Sequence, residues 1–514
     1  MPSPTPIITV VILVSSLAVA LFAVWWNSFS QKCVPIVIEA QHSRYFEYEY
    51  TGKPHHSSWH SWWHPQRIWS SAEASPGRGQ GGGAVTHDWN ILYHLGGNGP
   101  WVEKVDNVVE GGIAVPDGCA VDQVHMMSRH AERYPTFRVG RRMIKLLDRM
   151  KQSRIRFQGD LAFVNHWELF WSDDSQMEQL TSTGPFSGTL GSFTTGVRLR
   201  TRYHNLLANP KSLERKTRFW ASDSERVIDT ARYFGAGFFG LDWERAAHLE
   251  IIPERSDLGG NTLTPGDTCL KYIEDTEEGH DKGPKTMQNY RATYMPAIRE
   301  RLLKQNPGME FTDDEIYAMQ EMCGFETTVR GSSHWCDVFT QNEFLNFEYA
   351  RDILHYYRAG PGTKYGAVMG WLWLNATTNL MLEGPSAGPL FFSFVHDGDI
   401  APMITALDII NDDEHLPITH IPSSRKWRKS QVSPMGGRII FELLSCGTQQ
   451  NHFVRININD GITTIPECDG GPGSSCPLAE FRDRVKRKGE EVGHFREKCG
   501  LDDEAPERIT FLHQ

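Results

Sequence analysis

Nine cysteines occur in 514 residues, yet no two of them form a Cys-x-x-Cys pair and no Cys/His set has zinc-finger spacing. That argues against a structural zinc site. Positive charge is in short supply: 52 Lys and Arg stand against 63 Asp and Glu, for a net charge of -11. A nucleic-acid-binding protein needs a basic stripe, so nucleic acid is not an expected partner. Long apolar runs are scarce as well. One occurs, at residues 7–26, interrupted only by Thr9 and two serines. No Lys or Arg precedes it, so the positive-inside rule gives little help with its orientation. Hydrophobic residues make up 39% and charged residues 22%, the composition of a globular chain rather than a disordered one.

The apolar run is long enough to span a bilayer, and Trp25 and Trp26 close it where an interfacial aromatic belt would lie. Ala18-Val19-Ala20 and Ala23 offer a signal peptidase small residues. The segment therefore reads as an uncleaved anchor or a cleaved signal, the anchor slightly favoured. Either route takes the chain into the secretory pathway, as a single-pass membrane protein or a secreted or cell-surface one. Cysteines in that oxidising compartment are expected in disulfides. With an odd count, Cys33 beside the apolar segment is the expected leftover. Asn375-Ala376-Thr377 is a glycosylation acceptor triplet. Residues 27–87 have little periodicity and read as a stalk or wrapping arm. Its run His55-His56-Ser57-Ser58-Trp59-His60-Ser61-Trp62-Trp63-His64 lacks helical spacing and carboxylate support. Packing or surface contact is the better reading than a metal site, and no cofactor is expected. Nothing in the pattern specifies an oligomeric state.

Chemistry concentrates at three strand–turn–helix junctions. An apolar run at 121–127 predicts a strand that ends in Arg129-His130-Ala131-Glu132-Arg133-Tyr134-Pro135. A helix follows, with Met143, Leu146, Leu147 and Met150 on one face. A second strand, 217–221, leads to Ser222-Asp223-Ser224-Glu225, a capping-box pattern. Arg226 then lies in the first turn of a helix whose Val227, Ala231, Phe234 and Phe238 recur at helical spacing. A third strand, 389–395, runs into His396-Asp397-Gly398-Asp399, with a helix predicted over 400–410 and Asp399 as its N-cap. In open α/β sheets, ligands bind at the carboxyl ends of strands. Guanidinium groups there suit a multiply charged oxyanion, because they stay cationic and offer paired donors. The expected fold is α/β: a doubly wound, mainly parallel sheet flanked by helices, with an inserted, smaller, mostly helical domain. The boundaries read as 1–26 for the apolar segment, 27–87 for the arm, 88–500 for the folded region and 501–514 for a tail. The α/β core takes about 116–152, 217–250 and 342–465, and the inserted helical parts about 153–216 and 251–341. Helices are expected at 342–357 and 366–382, and one more strand at 453–458.

These motifs resemble those of the histidine acid phosphatases, in the branch of fungal acid phosphatases and phytases. Arg129-His130-Ala131-Glu132-Arg133-Tyr134-Pro135 is similar to that family's R-H-G-x-R-x-P, and His396-Asp397 to its distal H-D pair. The resemblance runs from about residue 88 to 499. It implies a hydrolase of small phosphate monoesters, an acid phosphatase with phytate among the candidate substrates, as for a 3-phytase. It implies His130 as the nucleophile and Asp397 as the acid, with Arg129, Arg133, Arg226 and His396 on the phosphoryl oxygens. It also implies the pairs Cys119–Cys446, Cys269–Cys499, Cys323–Cys336 and Cys468–Cys476. An acidic optimum follows, because the carboxyl donor must carry a proton while the ester stays anionic. Ala131 departs from the family's glycine; a left-handed backbone there would cost roughly 1–2 kcal/mol. That departure and the unusual arm motivate an alternative, a catalytically weak, membrane-tethered relative that binds a phosphorylated ligand or serves adhesion. Arg138, Arg141 and Arg142 are candidates for extra phosphates, against the simpler reading of a solvated helix face.

Overall fold

The computed structural model describes residues 89–207, 216–448 and 450–514. The apolar segment 7–26, Cys33 and the His/Trp-rich arm lie outside the described residues. Among the described residues no helix is long and apolar enough to cross a membrane.

Eight strands form one sheet: β1 (Cys119–Arg129), β2 (Thr217–Ser222), β3 (Ala247–Ile252), β4 (Leu390–Val395), β5 (Arg438–Cys446), β6 (Asn451–Ile458), β7 (Gly461–Thr463) and β8 (Cys476–Pro477). The order is β3-β2-β4-β1-β5-β6-β7, with β8 on β6. β3, β2, β4 and β1 pair in parallel. The strands from β5 onward extend that sheet in antiparallel pairing. β4 reads Leu-Phe-Phe-Ser-Phe-Val and is buried throughout, as a strand covered on both faces should be.

The main helices are α1 (Phe137–Gln152), α2 (Gly188–Arg202), α3 (Glu225–Phe239), α4 (Lys282–Gln305), α5 (Asp313–Arg330), α6 (Gln341–Arg358), α7 (Gly366–Glu383), α8 (Asp397–Leu407) and α9 (Leu478–Val492). Strand residues alternate between two cores. Val124, Met126, Phe392 and Phe394 pack with Phe234 and Phe238 of α3. Met127, Phe391, Val395 and Phe441 pack with Trp373 of α7, Ile404 of α8 and Phe481 of α9. Helices thus cover both faces of the sheet, the α/β arrangement expected. A third core joins Met143, Leu146, Leu147 and Met150 of α1 to Ile316, Met319 and Met322 of α5.

Several local expectations differ from the structure. α8 starts at Asp397, with His396 as N-cap; Asp399 is instead the third helical residue, and its Oδ2 accepts the His396 N–H at 2.9 Å. The carboxylate that starts a helix and the one that caps it from inside look alike in sequence. The Ser222–Glu225 capping box does not form, because Ser222 stays in β2 and Ser224, without a side-chain cap bond, begins α3. β3 and β5 were not foreseen. β5 carries Glu442 amid apolar residues, which breaks the pattern of a buried strand. The structure forms the bridges Cys119–Cys446, Cys269–Cys499, Cys323–Cys336 and Cys468–Cys476. Asn375 is half-buried inside α7, with Thr377 buried beside it, so a transferase would reach this triplet only before the helix forms.

Candidate active site

The pairing of β1 with β4 assembles the site. Arg129 lies opposite Val395 in parallel register, so the next residues, His130 and His396, leave the sheet side by side. The His130 N–H still donates to the Val395 carbonyl at 2.9 Å. Their rings sit 5.8 Å apart, edge to face. β2 ends at the same edge, and the first turn of α3 swings Arg226 over the pair, its Nη2 3.3 Å from His396 Nδ1.

His130 is buried, with Nδ1 2.8 Å from the Ala131 carbonyl. A carbonyl only accepts, so Nδ1 carries the proton and Nε2 presents a lone pair. Burial, then the guanidinium groups of Arg129, Arg133 and Arg226 and the His396 ring, hold this imidazole well below its usual range. Its neutral form, with the Nε2 lone pair free, therefore persists to lower pH than in an exposed histidine. Ala131 is not among the residues with positive φ, and its N–H donates to Thr230 Oγ1 at 3.0 Å. The methyl group in place of glycine brings no left-handed strain.

Three guanidinium groups surround the imidazole. Arg129 Nη1 donates to the carbonyls of Gly97 at 2.9 Å and Ser433 at 3.0 Å. Arg133 Nη1 donates to the Tyr134 carbonyl at 2.8 Å, and its guanidinium lies over the Phe325 ring. Arg226 Nη1 approaches Glu178 Oε2 at 3.7 Å. The Nε of all three is buried without a hydrogen-bond partner among the described residues. Unsatisfied buried donors on cations cost free energy, and such groups in a native structure call for a ligand. A tetrahedral oxyanion would supply the acceptors and the charge.

Asp397 faces the same space. Its Oδ2 is 3.3 Å from Arg129 Nη2, 2.9 Å from Lys429 Nζ and 3.9 Å from His355 Nε2. Burial alone would raise this carboxyl; Arg129, Lys429 and His355 outweigh burial and hold it well below the carboxylate range. Asp399, by contrast, is pushed well above that range by burial and by Asp267, Glu254 and Asp397 around it. It therefore holds its proton to higher pH than an exposed aspartate, which limits its repulsion of Asp397.

Sequence reasoning missed Lys429, His355, Glu254 and Glu178. Glu254, just past β3, holds His396 Nε2 at 2.8 Å. Lys429 sits in Arg425-Lys426-Trp427-Arg428-Lys429, which reads as a solvated basic loop, yet it is fully buried. Gly97, with φ +77°, explains the fit: a Cβ there would lie 3.1 Å from Lys429 Cε and 3.4 Å from Arg129 Nη1. Of the α1 arginines, read as a solvated face or as extra phosphate ligands, Arg141 pairs with Asp174 at 2.7 Å, Arg142 pairs with Glu321, and Arg138 is exposed. No group of three or more His, Cys, Asp or Glu among the described residues could hold a metal ion.

Comparison with known proteins bears on this geometry. The family model of the histidine phosphatase superfamily, branch 2, matches residues 120–459. A phytase of Candida albicans is 34% identical over 83% of this chain and 91% of its own. An acid phosphatase of Komagataella pastoris is 33% identical over 82% of this chain and 90% of its own. The crystal structure of the D. castellii phytase superposes with a TM-score of 0.77 at 30% identity, covering 87% of this chain and 94% of that one. A multiple inositol polyphosphate phosphatase of Bifidobacterium longum, at 13% identity and a TM-score of 0.58, shares the fold over 76% of this chain and 97% of its own.

Proposed function

The chain belongs to branch 2 of the histidine phosphatase superfamily, and from that premise we propose an acid phosphomonoesterase that works through a phosphohistidine at His130. The observation that carries this reading is the parallel register of β1 and β4. It sets a neutral imidazole with a free Nε2 lone pair beside Asp397 and three guanidinium groups with unused N–H donors.

The chemistry runs in two steps. The phosphoryl group of a monoester sits between Arg129, Arg133 and Arg226, whose charges offset the repulsion that shields phosphorus from nucleophiles. His130 Nε2 forms a bond to phosphorus while the ester oxygen leaves and takes the proton of Asp397. Water then attacks the phosphohistidine, giving its proton to the Asp397 carboxylate and releasing inorganic phosphate and free His130. Glu254 fixes the His396 ring; with Nε2–H directed at Glu254, Nδ1 is left to accept from Arg226 or, when protonated, to donate to phosphate. Asp397 must hold a proton at the first step, so turnover falls as pH rises and the optimum is acidic.

The substrate class is a small phosphate monoester, with phytate a candidate because relatives of this chain include phytases. The bridged cysteines suit the secretory pathway, with residues 7–26 as anchor or signal. The weak-binder alternative draws on Ala131, whose ordinary backbone gives it no support, and on the His/Trp-rich arm, which lies outside the described residues. The test is phosphate release across acidic pH, comparing phytate with an aryl phosphate. Release by the wild type and none by His130→Ala supports the proposal; equal release by both overturns it.

A further inference from the structure

Lys429 lies in the one-turn helix Lys429–Val432 and is fully buried. Besides Asp397 at 2.9 Å, its Nζ donates to the Ser433 carbonyl at 3.0 Å and hydroxyl at 2.6 Å. Both serine acceptors are neutral, and Asp397 is the one carboxylate paired with this lysine among the described residues; burial presses the amine well below its usual range, and Asp397 is the group that works to keep it charged. The residue is fixed from behind. Its backbone N–H donates to Asp352 Oδ1 at 2.6 Å, and Arg425 grips Asp352 at 2.9 Å and Glu348 at 3.0 Å. Gly97 closes the opposite side.

Titratable groups face Asp397 from the elements around it. β1 and the turn after it bring the cations Arg129 and Arg133, α6 brings Arg351 and His355, and its own helix brings the Asp399 carboxyl, which burial pushes upward. These cations are not equivalent once a phosphate monoester enters. Arg129, Arg133 and Arg226 then share their charge with the phosphoryl oxygens. Lys429 sits behind Asp397, hydrogen-bonded to Ser433, and keeps its hold on the carboxylate in the complex.

We infer that Lys429 is a positioning residue that sets the pH range of the leaving-group step, holding Asp397 as a carboxylate until the medium is acidic. The inference rests on the reading of Asp397 as the acid. Protonating Asp397 strips Lys429 of its counter-charge in a place water does not reach, and a buried cation without a partner is costly. An opposite charge at this range lowers a carboxyl group by about 1–3 pH units. The sign follows. Without the ammonium, Asp397 keeps its proton to higher pH, and the alkaline limb of kcat moves upward.

The experiment is the kcat–pH profile of Lys429→Met on a simple alkyl phosphate. The limb is expected to rise by about one pH unit or more; an unmoved or lowered limb overturns the inference. Lys429→Gln, which keeps a donor toward Ser433 and Asp397, gives the same rise if the methionine variant fails to fold. Asp397→Asn separates this inference from its premise. It should slow the first-turnover release of alcohol from the alkyl ester strongly and that of 2,4-dinitrophenol from 2,4-dinitrophenyl phosphate, whose leaving group needs no proton, only slightly, since the later attack of water is common to both. If Asp397→Asn leaves the alkyl ester unimpaired, the acid assignment falls, and the inference with it. If Asp397→Asn behaves as expected and Lys429→Met leaves the limb in place, the inference alone falls.

Discussion

Two clusters of buried charge share one sheet, and they are built to opposite rules. In the antiparallel part, Glu442 of β5 is fully buried and fully engaged. Its Oε1 accepts from Arg202 Nη2 and from the Tyr203 hydroxyl, each at 2.6 Å, and its Oε2 from Arg455 Nε at 2.8 Å. Arg455 also donates to the Ala114 carbonyl at 2.6 Å. Burial would raise Glu442, and Arg202, Arg455 and Tyr203 bring it below its ordinary value instead. At the carboxyl ends of β1 and β4, Arg129, Arg133 and Arg226 crowd one another with an Nε unmet on each. The first cluster is complete in itself and holds strands together. An unmet Nε alone is no mark of a site, since Arg142, Arg291, Arg299 and Arg438 share it. What sets the second cluster apart is three guanidinium groups converging on one buried imidazole.

The sharpest separation comes from His130→Ala, which should cut phosphate release by at least about 10³-fold while leaving thermal unfolding near the wild type. Arg455→Met tests the other cluster. Breaking a buried pair costs about 3–5 kcal/mol, read by denaturant unfolding, with kcat/KM unchanged in the folded fraction. Arg226→Ala should lower kcat/KM by about 10²-fold without loss of stability, because it relieves repulsion from Arg129 and Arg133. A drop in stability like that of Arg455→Met would erase the distinction. A finer test uses pH. Asp397 is held below its unfolded value, so it contributes stability that is present above the unfolded pKa and lost as pH falls through the folded one. Asp397→Asn should therefore cost most near neutrality and least in strong acid, measured as melting temperature against pH. The smallest effect is expected of Ala131→Gly: since no positive φ is needed, glycine brings only its backbone entropy, about 0.5–1 kcal/mol, and kcat/KM stays within about twofold of the wild type.

The same contrast explains what could be read from the chain unaided. Residues whose placement follows from a strand end and a helix start were legible: Arg129, His130, Arg226, His396 and Asp397 each stand at a change of periodicity. The apolar faces of α1 and α3 were legible for the same reason. Lys429 and His355 were not. One sits in a run of basic residues that looks solvated, the other on a helix that is buried nearly all round, so polarity and period mislead in both cases. Glu254 follows β3, a strand half exposed and too irregular to stand out. β5 was hidden by Glu442, whose partners come from α2, the residue after it, and β6.

The bridge between Cys119 and Cys446 spans 327 positions of the chain. Cys119 opens the strand that leads to His130, and Cys446 ends its antiparallel neighbour. During synthesis the first thiol must wait, reduced, until nearly all the rest has emerged. A chain stopped short of β5 would carry Cys119 and Cys269 without their partners, two free thiols that a finished chain does not show, and so a chemical label by which oxidative quality control can tell an incomplete product from a mature one.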